Sequence, residues 1–188
     1  PCNKWNVNEA CTINCYDGEK WENITPSVLS TNKNMSCPIL DPELANTYYI
    51  SGFYTVPIYK VVDNVATAIP QDPKLSAIVK GQIKNMFFDK EKNLWAFDET
   101  LGILMLPRAN QLSNTFEWKV GAPSGIPGGW KTNLFRASND VSFFTNNDNG
   151  NKIFMFWGDI DNLKFKTFTG ADMTNQDVGS ISLGAICY

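Results

Sequence analysis

Apolar and polar residues alternate with a period of two in four short stretches of the chain. Val79, Gly81 and Ile83 alternate with Lys80, Gln82 and Lys84, and Phe116, Trp118 and Val120 alternate with Glu117 and Lys119. Leu163 and Phe165 alternate with Lys164 and Lys166, and Ile181, Leu183 and Ala185 with Ser180, Ser182 and Gly184. A two-residue period sends successive side chains to opposite faces of extended backbone, so each stretch predicts a half-buried strand. Turn-forming clusters lie between such segments: Asp89, Lys90, Glu91, Lys92 and Asn93 precede Leu94, Trp95, Ala96 and Phe97, and residues 146–151 precede the apolar run from Ile153 to Trp157. Asn, Asp and Gly tolerate left-handed backbone, so both clusters predict hairpins between antiparallel neighbours. Only residues 42–45 and, more weakly, 172–177 carry a helical signal. About eight to ten strands with no helix long enough for a crossover predict an all-β fold, an antiparallel barrel with a sandwich or jelly roll as the alternative.

Residues 1–36 break this pattern, being rich in Asn and Lys with widely spaced apolar residues, and predict an irregular extension ahead of a single β domain spanning residues 37–188. Four of the five cysteines, Cys2, Cys11, Cys15 and Cys37, fall in or beside that extension, and Cys187 is the penultimate residue. The Cys11 and Cys15 pair has no second pair at zinc-site spacing, which favours disulfides over metal thiolates. A bridge from Cys187 to the extension would close a loop worth roughly 4 to 5 kcal/mol in the chain-entropy model. The odd cysteine could be buried, could join two chains or could hold a chromophore. Asn23 and Asn34 begin N-glycosylation acceptor triplets in the same segment. Together with a start at Pro1-Cys2, these features predict a secreted, mature protein.

Composition narrows the chemistry. Hydrophobic residues at 43% and aromatics at 13% of 188 positions supply a core and exclude disorder. A net charge of -3 gives no field to gather polyanions, so nucleic acid is not an expected partner. The absence of histidine removes Ser-His-Asp and Cys-His catalysis and imidazole metal sites. No apolar run approaches the ~20 residues of a membrane span; the candidate from Gly102 to Leu106 stops at Pro107. Binding is therefore expected rather than catalysis, with homo- or hetero-oligomers left open.

The run from Cys37 through Pro38, Ile39, Leu40 and Asp41 to Tyr48 and Tyr49 resembles the opening of lipocalins, in which a cysteine and a helical turn precede a Gly-x-Trp-Tyr strand start. Asn46 stands in place of the family's glycine and Tyr48 in place of its tryptophan. Residues 158–163, GDIDNL, are similar to the family's turn between two late strands. The resemblance implies an eight-stranded barrel holding one small hydrophobic ligand, with pigments of the carotenoid or bilin type among its examples. Aromatics with a polar handle near strand ends are the expected contacts: Tyr48, Tyr54, Tyr59, Trp95, Trp118, Trp130 and Trp157. Trp130 closes a Gly- and Pro-rich loop over residues 121–130, which reads as a connector or a flexible rim.

Two other readings compete. Exposed aromatic platforms beside Asn and Asp, as at Asn139-Asp140 and residues 146–151, also suit carbohydrate. The same turns, with Asp148, Asp159 and Asp161, lack the ligand spacing of a calcium loop. A glycosidase would need two carboxylates in a cleft, for which Glu117 and Glu99 are the candidates, but alternation turns Glu117 away from the Phe116 and Trp118 face.

Overall fold

The structure, a computed structural model, describes residues 12–16, 18–29, 38–51, 58–69, 86–98, 102–121, 133–136, 141–146 and 152–168. Contacts divide the chain into two compact units, Pro1–Ile83 and Lys84–Tyr188. Strand is the main regular element among the described residues, with little helix, and every strand pair is antiparallel.

In the first unit, β1 (Asn14–Tyr16) and β2 (Trp21–Asn23) form a two-stranded ribbon. A four-stranded meander follows, with β3 (Ile39–Leu40), β4 (Thr47–Ile50), β5 (Tyr59–Val62) and β6 (Val65–Ala68) in chain order. Its last hairpin closes on Asp63 and Asn64, both left-handed at φ 46° and 63°, between the paired Val62 and Val65. Two successive left-handed residues make the turn whose twist matches that of the flanking strands. Central strand β4 is buried along its whole length. Ile13 and Leu29 pack with Tyr48, Ile50 and Val61, so the segment leading into the sheet is anchored by apolar contact as well as by its own ribbon.

The second unit holds two more four-stranded meanders. One comprises β7 (Met86–Phe88), β8 (Leu94–Asp98), β9 (Gly102–Leu106) and β10 (Lys119–Gly121); the other comprises β11 (Asn133–Arg136), β12 (Val141–Asn146), β13 (Lys152–Trp157) and β14 (Lys164–Phe168). Trp95, Phe97, Ile103 and Met105 of the first sheet pack with Phe154 and Phe156 of the second and with Ile160 in the connection between β13 and β14, forming one apolar cluster. The first strands, β7 and β11, also come into contact.

First strands begin at residues 39, 86 and 133, and second strands at 47, 94 and 141, two steps of 47 residues in each series. A fixed period in the range of about 20–50 residues marks a repeat architecture. Each repeat here is an up-and-down four-stranded sheet, the topology of one blade of a β-propeller. The all-β, antiparallel expectation holds, but among the described residues the strands make four separate open sheets and do not close into one barrel. Among the described residues hydrogen bonding stops at β6 and at β10 and resumes with a new first strand at β7 and at β11, and in the second unit the apolar faces of the two sheets cover each other.

Several local expectations need correction. Residues 42–45 are bends and turn without helix, because the Asp41 carboxylate accepts the Glu43 and Leu44 N–H groups, both at 3.0 Å, in place of a helical ladder. A helix forms instead at α1 (Arg108–Ser113), behind Pro107 and ending at left-handed Asn114. Phe116 keeps its inward face but lies outside the strand, with φ of 50°. The predicted strands at residues 79–83 and 180–185, and the helical signal at 172–177, lie outside the described residues.

Candidate functional site

The hairpin between β7 and β8 carries a dense polar lock. Asp89 donates its N–H to the Asn93 carbonyl at 3.1 Å, and its carboxylate accepts the Asn93 N–H at 2.8 Å, the Asn93 amide at 2.9 Å and the Trp95 indole N–H at 2.7 Å. Lys92 takes the left-handed conformation that the turn requires. The Asn93 side-chain oxygen accepts the Arg108 N–H at 2.9 Å, which joins this hairpin to the start of α1. Buried Gln111 completes the joint by donating to the Lys92 and Leu106 carbonyls at 3.0 and 2.9 Å. The side-chain donors of Asn93, Trp95 and Gln111 are each met by an acceptor of this joint, which fixes the loop.

Beside this lock opens a cleft of about 500 Å³ within the second unit. Rings of Phe87, Trp95, Phe156 and Trp157 form its apolar wall. Phe87 and Trp95 are parallel, with centroids 6.1 Å apart and 3° between planes, and Phe156 tilts against Trp95 at 6.0 Å. The polar side is supplied by Asp89, Lys90, Glu91 and Asn93 from the hairpin, by Lys119 from β10, and by Asp159, Asp161 and Asn162 from a 3-10 turn at Ile160–Asn162. Lys119 meets Asp161 at 2.9 Å. Gly121 lets that turn approach β10, since a Cβ there would lie 2.5 Å from Leu163 Cδ1 and 2.8 Å from Ile160 Cδ1.

Of the seven aromatic residues singled out from sequence, the cleft brings together Trp95 and Trp157. Tyr48 is buried in the first unit, its hydroxyl donating to the Ile24 carbonyl at 3.3 Å, and burial pushes its pKa up to about 12. Tyr59 packs against the same cluster. Trp118 is half-buried just before β10 and is not part of the cleft lining. Tyr54 and Trp130 lie outside the described residues. Tyr48 and Trp95 stand 47 residues apart, on equivalent positions of successive repeats, and both have their polar handle tied to protein. Phe87, Phe156, Asp89 and Glu91 were not among the sequence candidates; the six-residue separation of Asp89 from Trp95 was the available signal.

Cys15 is exposed and free on β1, while Cys2, Cys11, Cys37 and Cys187 lie outside the described residues. Asn23 is exposed on β2, its side-chain oxygen accepting the Thr25 N–H at 2.9 Å; Asn34 lies outside. Glu117 is exposed, and Glu99, Asn139, Asp140 and Asp148 are not described. Among the described residues no three acidic or cysteine side chains converge as a metal site, and no helix is long and apolar enough to cross a membrane.

No family model and no curated protein matches the sequence. Among solved structures the chain is similar to PorZ, described as an essential bacterial surface component of the type-IX secretion system of human oral-microbiomic Porphyromonas gingivalis, at a TM-score of 0.62 and 13% identity. The match covers 87% of this chain and 25% of that one, so the chain spans about a quarter of the length of its neighbour, and what the two share is a fold.

Proposed function

We propose that the chain is a propeller-type section of β-repeat recognition protein that binds without catalysis, and that the cleft in its second unit takes a saccharide. The observation carrying this reading is the cleft itself, whose lining combines aromatic rings with carboxylate, amide and ammonium groups. A sugar ring offers an apolar C–H face to an aromatic plane and hydroxyl groups to carboxylates and amides, so the two kinds of lining group complement its two kinds of surface. A small hydrophobic pigment has less to support it. Trp95, Phe97, Phe154 and Phe156, which would line an internal cavity, pack on one another between the sheets.

An extracellular or surface setting is consistent with the clustered cysteines and acceptor triplets. The description of PorZ as a surface component agrees with that setting. The reading is tested by a glycan array followed by calorimetric titration of the best hit. Half-buried Trp157 is the expected platform, so Trp157→Ala should reduce affinity at least tenfold, about 1.4 kcal/mol, while leaving the far-ultraviolet dichroism unchanged. Retention of full affinity in that variant would remove the cleft from the reading.

A further inference from the structure

Resting on the saccharide reading, we infer that the cleft prefers a positively charged sugar, an amino saccharide, and that Asp159 sets this preference. Four carboxylates and two ammonium groups line the cleft, leaving an excess of two negative charges. Three of the carboxylates are already engaged: Asp89 by Asn93 and Trp95, Asp161 by Lys119 at 2.9 Å, and Glu91 by Lys90 at 3.6 Å. Asp159 differs. It is exposed, and its side chain caps no N–H of the 3-10 turn that it precedes.

Its position is fixed by the turn rather than by a partner. Gly158 has φ of 95°, and a Cβ there would lie 3.2 Å from the Asn162 carbonyl oxygen, so the tight connection from Trp157 to Asp159 depends on glycine. Trp157 and Asp159, whose carboxylate has no partner among the described residues, are thereby held two residues apart in the cleft lining. A protonated amine on a ring satisfies both, through attraction to the π face and a charge-assisted hydrogen bond to the carboxylate. A uronate would meet the same negative field and be repelled.

The test titrates the full chain with three tetrasaccharides, of glucosamine, N-acetylglucosamine and galacturonate, at a pH where the glucosamine amines are protonated. The glucosamine tetramer should bind about tenfold more tightly than the N-acetylated one. Added salt should shrink that advantage. Asp159→Asn should abolish it, so that the glucosamine and N-acetylated tetramers bind with equal affinity. Salt dependence in the unmodified chain gives the same information if the variant folds poorly. Equal affinity for the cationic and neutral tetramers, or preference for the uronate, would overturn the charge inference while the saccharide reading stood. Binding of none of the three, with no hit on the array, would overturn both.

Discussion

Tyr48 and Trp95 occupy the same place in successive 47-residue repeats, yet one belongs to a closed face and the other to an open cleft. Both are buried aromatics in a second strand, and both hairpins begin with an aspartate whose N–H closes the turn: Asp41 onto the Thr47 carbonyl at 2.8 Å, Asp89 onto the Asn93 carbonyl at 3.1 Å. The difference lies in where the carboxylate goes. The Asp41 carboxylate accepts the Glu43 and Leu44 N–H groups of its own loop, and Tyr48 reaches instead to Ile24 in the preceding segment, which covers that face. Asp89 turns onto the Trp95 indole, so this ring needs no covering segment for its polar atom and its edge remains in the cleft wall. A repeated scaffold therefore keeps the aromatic position for packing, while loop chemistry decides whether a face is sealed or left available.

The largest test of this contrast removes the two aspartates in turn. Asp89→Ala strands the Trp95 N–H and two Asn93 donors, and loss of charge-assisted bonds in a partly buried setting should cost about 3 kcal/mol. The Asp41→Ala variant leaves loop N–H groups that can turn to water, and about 1 kcal/mol is expected. Thermal unfolding followed by tryptophan fluorescence separates them. Equal losses would mean that the two loops do the same job.

Tyr48 supplies a pH test of the sealed face. Burial raises the phenol from 10.0 to about 12, which favours the neutral form in the folded state. Below pH 10 both states keep the proton and the contribution is fully present. As pH rises from 10 to 12 the unfolded chain loses its proton while the folded chain retains it, and stability falls by about 2 kcal/mol. The Tyr48→Phe variant should show a flatter denaturation midpoint across that window than the unmodified chain, despite losing the bond to Ile24. Parallel curves for the two would place the buried phenol outside the energetics of the fold.

Strand content was legible because the inward and outward residues around Phe165 alternate cleanly, and because the Asp89 and Asn146 clusters are strong turn signals; around Trp118 the same alternation marks burial but only Lys119 to Gly121 is strand. The central strands were harder to read. Ile103 to Leu106 are buried on both faces, so the stretch has no period-two pattern to display. The repeat itself was not visible as sequence similarity, since the Thr47-Tyr48-Tyr49 and Leu94-Trp95-Ala96 starts share only apolar character and spacing. Helix α1 was hidden because Pro107 reads as a stop for the strand before it and only secondarily as the start of a helix. The cleft was partly legible, in Trp95 and Trp157, but its polar wall depends on pairings such as Lys119 with Asp161 that span 42 residues and leave no local signature.

A smaller effect sharpens the role of the 3-10 turn. Gly121→Ala places a methyl group against the tips of Leu163 and Ile160, both of which can shift at modest cost, so about 1 kcal/mol of destabilisation is expected. Ile160 directly follows Asp159, so a shift of its side chain perturbs the turn that carries that carboxylate. Saccharide affinity should therefore fall further than stability, a split that calorimetric titration beside thermal unfolding would detect. Stability loss without any change in binding would show that the turn is not part of the recognising surface.

The smallest effect on stability comes from Lys119→Ala. Its partner Asp161 is exposed, and an exposed pair of this kind contributes at most about 0.5 kcal/mol, so the unfolding midpoint should barely move. Binding should respond in the opposite sense to an ordinary loss of contact. Removing the ammonium releases the Asp161 carboxylate and makes the cleft more negative, so the glucosamine tetramer should bind about threefold more tightly at low salt and equally at high salt. Weaker binding of that ligand would mean that Lys119 contacts the sugar directly, and the division of the cleft into engaged charges and one available carboxylate would have to be redrawn.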